Sequence, residues 1–99
     1  MKRERSEDLD ELRLSVGEEV DLESLRAAVV PPNLMLLPFL EAPDAIAVAG
    51  QRSLDEDGVH GSVYHLKATK PFTGDLVVGF RDLRTQKVTH KKSIPTVVD

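Results

Sequence analysis

Residues 62–80 read SVYHLKATKPFTGDLVVGF. Tyr64, Leu66 and Ala68 alternate with His65, Lys67 and Thr69. After a break at Lys70-Pro71-Phe72-Thr73-Gly74, the same phase resumes at Leu76, Val78 and Phe80. Period-two alternation sends successive side chains to opposite faces of a strand, so the segment predicts two β-strands around a turn, a hairpin with one buried face.

The same grammar extends outward. In residues 12–22, Leu12, Leu14 and Val16 alternate, Gly17-Glu18 marks a turn, and Val20 and Leu22 resume. Residues 21–29 also carry a competing signal for one short helical turn near residues 22–29, with Asp21 as N-cap and Leu22, Leu25 and Val29 on one helical face. Ile46 and Val48 put a short strand in residues 44–49, and residues 51–61 read as a polar loop. Ile94, Thr96 and Val98 end the chain as a strand, which Pro95 places at an edge. Residues 1–11 are dense in charge and are expected to form a mobile N-terminal arm, leaving residues 12–99 as one domain.

Residues 29–43, VVPPNLMLLPFLEAP, carry the most apolar run of the chain. Pro31, Pro32 and Pro38 bar a regular helix and argue against a central strand. Two readings stand: a buried strand over residues 34–37 between proline-rich turns, or a partly exposed apolar loop that binds another protein or a copy of this chain. About seven short strands with little helix predict an all-β fold, a single antiparallel β-sandwich.

Composition narrows the function classes. The chain has 99 residues, 40% apolar and 30% charged, with a net charge of −4. That describes an ordinary soluble globular domain with enough chain to bury one core. Without cysteine it has no disulfide, no thiolate metal ligand and no Cys nucleophile. The start has no apolar stretch behind its positive charges, so no signal peptide is read, and the apolar stretch at residues 27–40 is too short and too broken to span a membrane. The compartment is not readable.

Candidate chemistry is thin. His60, His65 and His90 are scattered, and Ser53, Ser62 and Ser93 lack a nucleophile elbow. With no glycine-rich phosphate loop either, an enzyme is not expected, and neither is a cofactor. Asp55-Glu56-Asp57-Gly58 with His60 lacks the alternating ligand spacing of a calcium loop and reads as an acidic solvated turn. Arg81, Arg84, Lys87, Lys91 and Lys92 form a basic strip with His90. With few aromatics and no groove-reading helix, it argues against nucleic acid as a partner.

The order of these pieces resembles the bacterial immunoglobulin-like domains, most closely in Leu66-Lys67-Ala68-Thr69-Lys70-Pro71 and the turn into Leu76. Within that group the chain is distantly similar to the chagasin-type inhibitors of papain-like cysteine proteases. The resemblance implies three loops that enter a protease cleft. Pro31-Pro32-Asn33-Leu34 takes the place of the first, without its Thr-Thr-Gly. Gly58-Val59-His60-Gly61 takes the place of the glycine-rich second, and Arg81-Asp82-Leu83-Arg84 that of the third, without its Pro-Trp.

The expectation is therefore a single Ig-like β-sandwich that works as a non-catalytic protein-interaction or structural module. A chagasin-like inhibitor, and a subunit of a larger assembly such as a virion decoration or tail component, are the alternatives. Loops at the sandwich ends carry recognition in such folds. The candidate partner-binding residues are Asn33, Leu34, Met35, Gly58, His60, Gly61, Arg81, Arg84 and Lys87.

Overall fold

The computed structural model describes residues 2–30 and 35–99. Among them, ten strands follow one another: β1 (Lys2–Arg5), β2 (Leu12–Leu14), β3 (Glu19–Glu23), β4 (Ala27–Ala28), β5 (Leu36–Glu41), β6 (Ile46–Ser53), β7 (Val59–His60), β8 (Ser62–Ala68), β9 (Phe72–Asp82) and β10 (Lys87–Val98). One turn of 3-10 helix, Ser6–Asp8, separates β1 from β2. Two four-stranded sheets, β1-β3-β8-β6 and β2-β10-β9-β5, make an Ig-like sandwich, with β4 and β7 as a two-stranded patch. No helix among the described residues is long and apolar enough to cross a membrane.

The alternation at residues 62–80 has the physical meaning expected of it. Tyr64, Leu66, Ala68, Leu76, Val78 and Phe80 are buried, and Leu14, Val20 and Ile46 join them. Side chains of this kind contribute roughly 1.5–3 kcal/mol each when fully buried. The two strands are not a hairpin, however. β8 belongs to the first sheet and β9 to the second, so residues 69–71 are a corner that carries the chain between layers. The phase survives the corner because both strands turn their apolar face to the same core. Residues 15–18 make a second corner, between β2 and β3, with Gly17 at φ +89. The two corners are tied together: Gly17 N–H donates to Ala68 O and Ala68 N–H to Glu18 O.

Other expectations change. Residues 22–29 form no helical turn: Val20 and Leu22 bury with period two as β3 pairs with β8, setting Leu22 opposite Tyr64. The charged segment before Leu12 is not a free arm, since β1 pairs parallel with β3 and Ser6 is buried. Pro95 lies in β10, an inner strand, but just before the parallel pairing with β2 begins at Thr96, so one side of β10 is still open there. Among the described residues, the antiparallel scheme is interrupted by that pairing and by β1 on β3. The polar stretch after Gly50 continues β6 to Ser53 and later supplies β7. Of residues 34–37, Leu36 is buried and Leu37 exposed as β5 begins. Pro38 is accommodated because β5 is an edge strand.

Among the described residues, the Tyr64 hydroxyl and Arg26 Nε are the buried side-chain polar atoms left over. Burial pushes the Tyr64 phenol up to about 12, opposed by the nearby Ser62 side chain, which does not reach hydrogen-bonding geometry, so the hydroxyl is left unsatisfied.

Candidate functional site: a three-loop end

Three connections meet at one end of the sandwich, opposite the corners. Among the described residues they are Val29, Val30 and Met35 between β4 and β5, residues 54–61 around β7, and residues 83–86 between β9 and β10. Main-chain bonds join them. β4 pairs with β7 (Ala27 opposite His60, Ala28 opposite Val59), and Val29 N–H donates to Gly58 O at 3.1 Å. Leu83 N–H donates to Met35 O at 2.9 Å, linking the third loop to the first. The His60 imidazole Nε2 donates to Leu36 O at 2.6 Å, and its ring lies 5.8 Å from that of Phe80 beneath.

The third loop is built around Asp82. Its Oδ1 accepts Arg84 N–H at 2.8 Å, and the Arg84 guanidinium reaches both oxygens, at 3.2 and 3.0 Å. These bonds, the side-chain ones first, hold the Asp82 carboxyl below its ordinary pKa. Gln86 closes the turn in the left-handed region, at φ 62, with its N–H on Asp82 O at 2.7 Å. A non-glycine there carries strain, so the loop's own bonds must fix the conformation.

The second loop is anchored from below. Glu23, with a side chain 6% exposed, accepts Arg26 Nη2 at 2.7 Å and Arg3 Nε at 2.8 Å; Arg26 Nη1 meets Glu56 at 2.8 Å. Burial works to raise the Glu23 pKa, but hydrogen bonds from Arg26 and Arg3 outweigh it and hold the carboxyl low. One buried carboxylate thereby connects β1, β3 and the loop after β6.

Of the candidate partner-binding residues, Asn33 and Leu34 lie outside the described residues, as does the whole Pro31-Pro32-Asn33-Leu34 motif. Met35 and Gly58 are exposed at the three-loop end, Gly58 at φ +76 in a turn. His60 is half-buried and turned onto Leu36. Gly61 is buried, and a Cβ there would come within 2.8 Å of Ser24 Oγ, so it serves close packing rather than contact. Arg81 donates to Gln86 O and lies 5.9 Å over the Phe39 ring. Arg84 folds back on Asp82, and Lys87 is exposed where β10 begins. The basic strip is therefore divided: Arg84 is neutralised, and Lys92 donates to Ser6 O and Glu7 O.

Sequence reasoning missed the apolar tips. Val29, Val30, Met35 and Leu83, all between 40% and 51% exposed, share this end; all four fall within segments anticipated as loops or apolar contact, but only Met35 was singled out as a contact residue. The signal existed. Val29-Val30 directly precede two prolines, and Leu83 is a lone aliphatic residue in a charged turn. No group of three or more His, Asp or Glu side chains among the described residues is arranged to hold a metal ion.

His65 lies away from this end, on the outer face of the first sheet. Its ring bonds Asp21 at 2.8 Å and Glu19 at 2.9 Å, and these two bonds, Asp21 first, raise its pKa.

No family model matches the sequence, and no curated protein sequence matches it. Among solved structures, the crystal structure of the cysteine protease inhibitor EhICP2 from Entamoeba histolytica aligns with a TM-score of 0.72, covering 99% of this chain and 94% of that one at 12% identity. The chain thus shares the fold of that structure; at that identity the likeness speaks for the fold alone.

Proposed function

We propose that this chain is a non-catalytic protein-binding domain whose three-loop end closes the active-site cleft of a papain-like cysteine protease. The observation that carries the reading is the bonding of three separate loops into one edge with four exposed aliphatic side chains: Val29, Val30, Met35 and Leu83. A monomer gains nothing by leaving such side chains together in water, and clustered exposed apolar groups mark contact surfaces. A pre-bonded edge also binds at low entropic cost, because little is left to order on contact. The inhibitor EhICP2, which shares the fold over nearly the whole chain, supports a protease as the partner. Here the aliphatic tips take the role that Thr-Thr-Gly and Pro-Trp fill in the chagasin-type pattern, so the contact is shape-driven and apolar.

The test is inhibition of papain-like proteases on a small peptide substrate. Competitive inhibition at or below micromolar protein is expected. Leu83→Asp should weaken it by about thirtyfold, the equivalent of about 2 kcal/mol for one lost apolar anchor. Undiminished protease activity across a papain-family panel at about 100 μM protein, a concentration that would reveal even weak complexes, would refute the reading.

A further inference from the structure

A strand at a sheet's rim presents unpaired main-chain donors and acceptors, and soluble folds blunt such rims with charge, proline or brevity. The rims of this sandwich are unequal. β1 is charged at every position, Lys2-Arg3-Glu4-Arg5. β2 has three residues, and the open length of β10 beside it carries Lys87, Lys91, Lys92 and Pro95. β5 holds Pro38 within it and Glu41 at its end. β6 is different: eight residues, Ile46–Ser53, with Arg52 as the one charge and no proline.

The bulge between Val48 and Gly50 divides β6, and beyond it Gly50, Gln51, Arg52 and Ser53 run in register against β8. No residue from Ala47 to Ser53 is buried, so this half of the strand has left the core. Behind it lies a cleft of about 450 Å³ between the rims of the two sheets. Leu37 and Pro38 line it from β5, Gln51, Arg52 and Ser53 from β6, and His60 beside them. Where β6 ends, Asp55, Glu56 and Asp57 follow. Glu56 is engaged by Arg26, Asp55 and Asp57 are exposed, and Arg52 leans onto Asp21 at 3.4 Å. The end of this rim is therefore negative.

We propose that the half of β6 from Gly50 to Ser53 is a docking edge for an extended peptide segment of a protein partner. The segment adds a strand to the first sheet, turns one aliphatic side chain into the cleft over Leu37 and Pro38, and places a lysine or arginine toward Asp55 and Asp57. Main-chain pairing supplies affinity in this mode, and the pocket for an alternate side chain supplies selectivity. A second copy fits poorly. In the antiparallel register that pairs all of β6 with itself, Asp44 of one chain would face Asp55 of the other, and like charges placed opposite repel. The edge is continuous with the three-loop end through His60 and Gly61, but the proposal does not depend on a protease binding there.

The probe is a synthetic blocked peptide, acetyl-Thr-Val-Thr-Leu-Thr-Lys-Lys-amide, titrated into isotope-labelled protein and followed by amide chemical shifts. Shifts confined to Leu37 and to residues 50–57 and 60–62, saturating in the sub-millimolar range, are expected. Two controls leave the fold intact. The same peptide N-methylated at alternate positions cannot pair with a strand and should bind at least about tenfold more weakly. The double variant Asp55→Lys with Asp57→Lys should also lose about tenfold, through lost charge attraction. Absence of shifts at about 1 mM peptide, equal binding of the N-methylated peptide, equal binding by the double variant, or shifts elsewhere would each overturn the proposal. So would edge shifts that appear with protein concentration alone, which would make a second copy the occupant.

Discussion

Replacing Glu23 by glutamine tests how far the three-loop end depends on one buried charge. The Glu23 side chain is 6% exposed and accepts Arg26 Nη2 at 2.7 Å and Arg3 Nε at 2.8 Å, with Arg5 Nε at 3.9 Å. Hydrogen bonds to a charged group contribute roughly 1.5–3 kcal/mol each. Glutamine keeps the shape and can still accept one donor, and Arg3, nearly half exposed, recovers water cheaply. The net loss for Glu23→Gln is therefore about 2 kcal/mol rather than the larger figure for an abandoned buried charge. In a domain of this size that lowers Tm by about 10 °C. Urea unfolding followed by far-ultraviolet circular dichroism suits a chain without tryptophan. The pH dependence adds an independent check. Because the Glu23 pKa is depressed in the folded state, its contribution is complete above the unfolded value of about 4.3 and disappears as pH falls through the folded one. The gap between wild type and variant should be constant near neutrality and shrink in acid. A gap below about 0.5 kcal/mol at neutral pH, typical of a surface pair, would refute the reasoning, as would one that ignores acid.

Three further outcomes follow from the same structure. Gly61→Ala places a methyl 2.8 Å from Ser24 Oγ and 3.1 Å from Leu25 O, so unfolding should show a loss of about 2 kcal/mol; a neutral result would mean that the second loop yields freely. Tyr64→Phe removes a buried hydroxyl with no partner and should leave stability unchanged or raise it by up to about 1 kcal/mol, whereas a comparable loss would reveal a hydrogen bond from that hydroxyl. His65, raised by Asp21 and then Glu19, stabilises fully below its unfolded pKa of about 6.5 and loses that contribution as pH rises through the folded value. Wild-type stability should therefore fall more steeply between neutral and mildly alkaline pH than that of His65→Gln, and parallel profiles would contradict the geometry.

How much of this was legible in the chain varied with the physics involved. Inward and outward residues were readable because burial on one face imposes period two, and Leu66, Leu76 and Phe80 needed nothing more. Strand partners were not: alternation looks the same whether the chain folds back within a sheet or turns the corner at residues 69–71. β1 was invisible because Lys2, Arg3, Glu4 and Arg5 carry no apolar signal, and charge pairs with Glu23 hold the segment in place. Pro95 misled because the edge rule concerns hydrogen bonds on both sides of a residue, and β2 reaches only to Thr96. The second and third loops, around Gly58–Gly61 and Arg81–Arg84, were legible, while the first motif lies outside the described residues; the exposed Val29, Val30 and Leu83 were not singled out. Their exposure at one end follows from bonds between distant loops, Val29 to Gly58 and Leu83 to Met35, which local sequence does not announce.

The most direct test of the central claim is amide hydrogen exchange of the intact chain with and without an equimolar papain-like protease whose active site is open. The account expects new protection at Val29, Val30, Met35, Leu83 and Gln86, with the outer face of the first sheet unchanged. Unaltered exchange at these loops, or protection centred on Glu19, Asp21 and His65 instead, would contradict it.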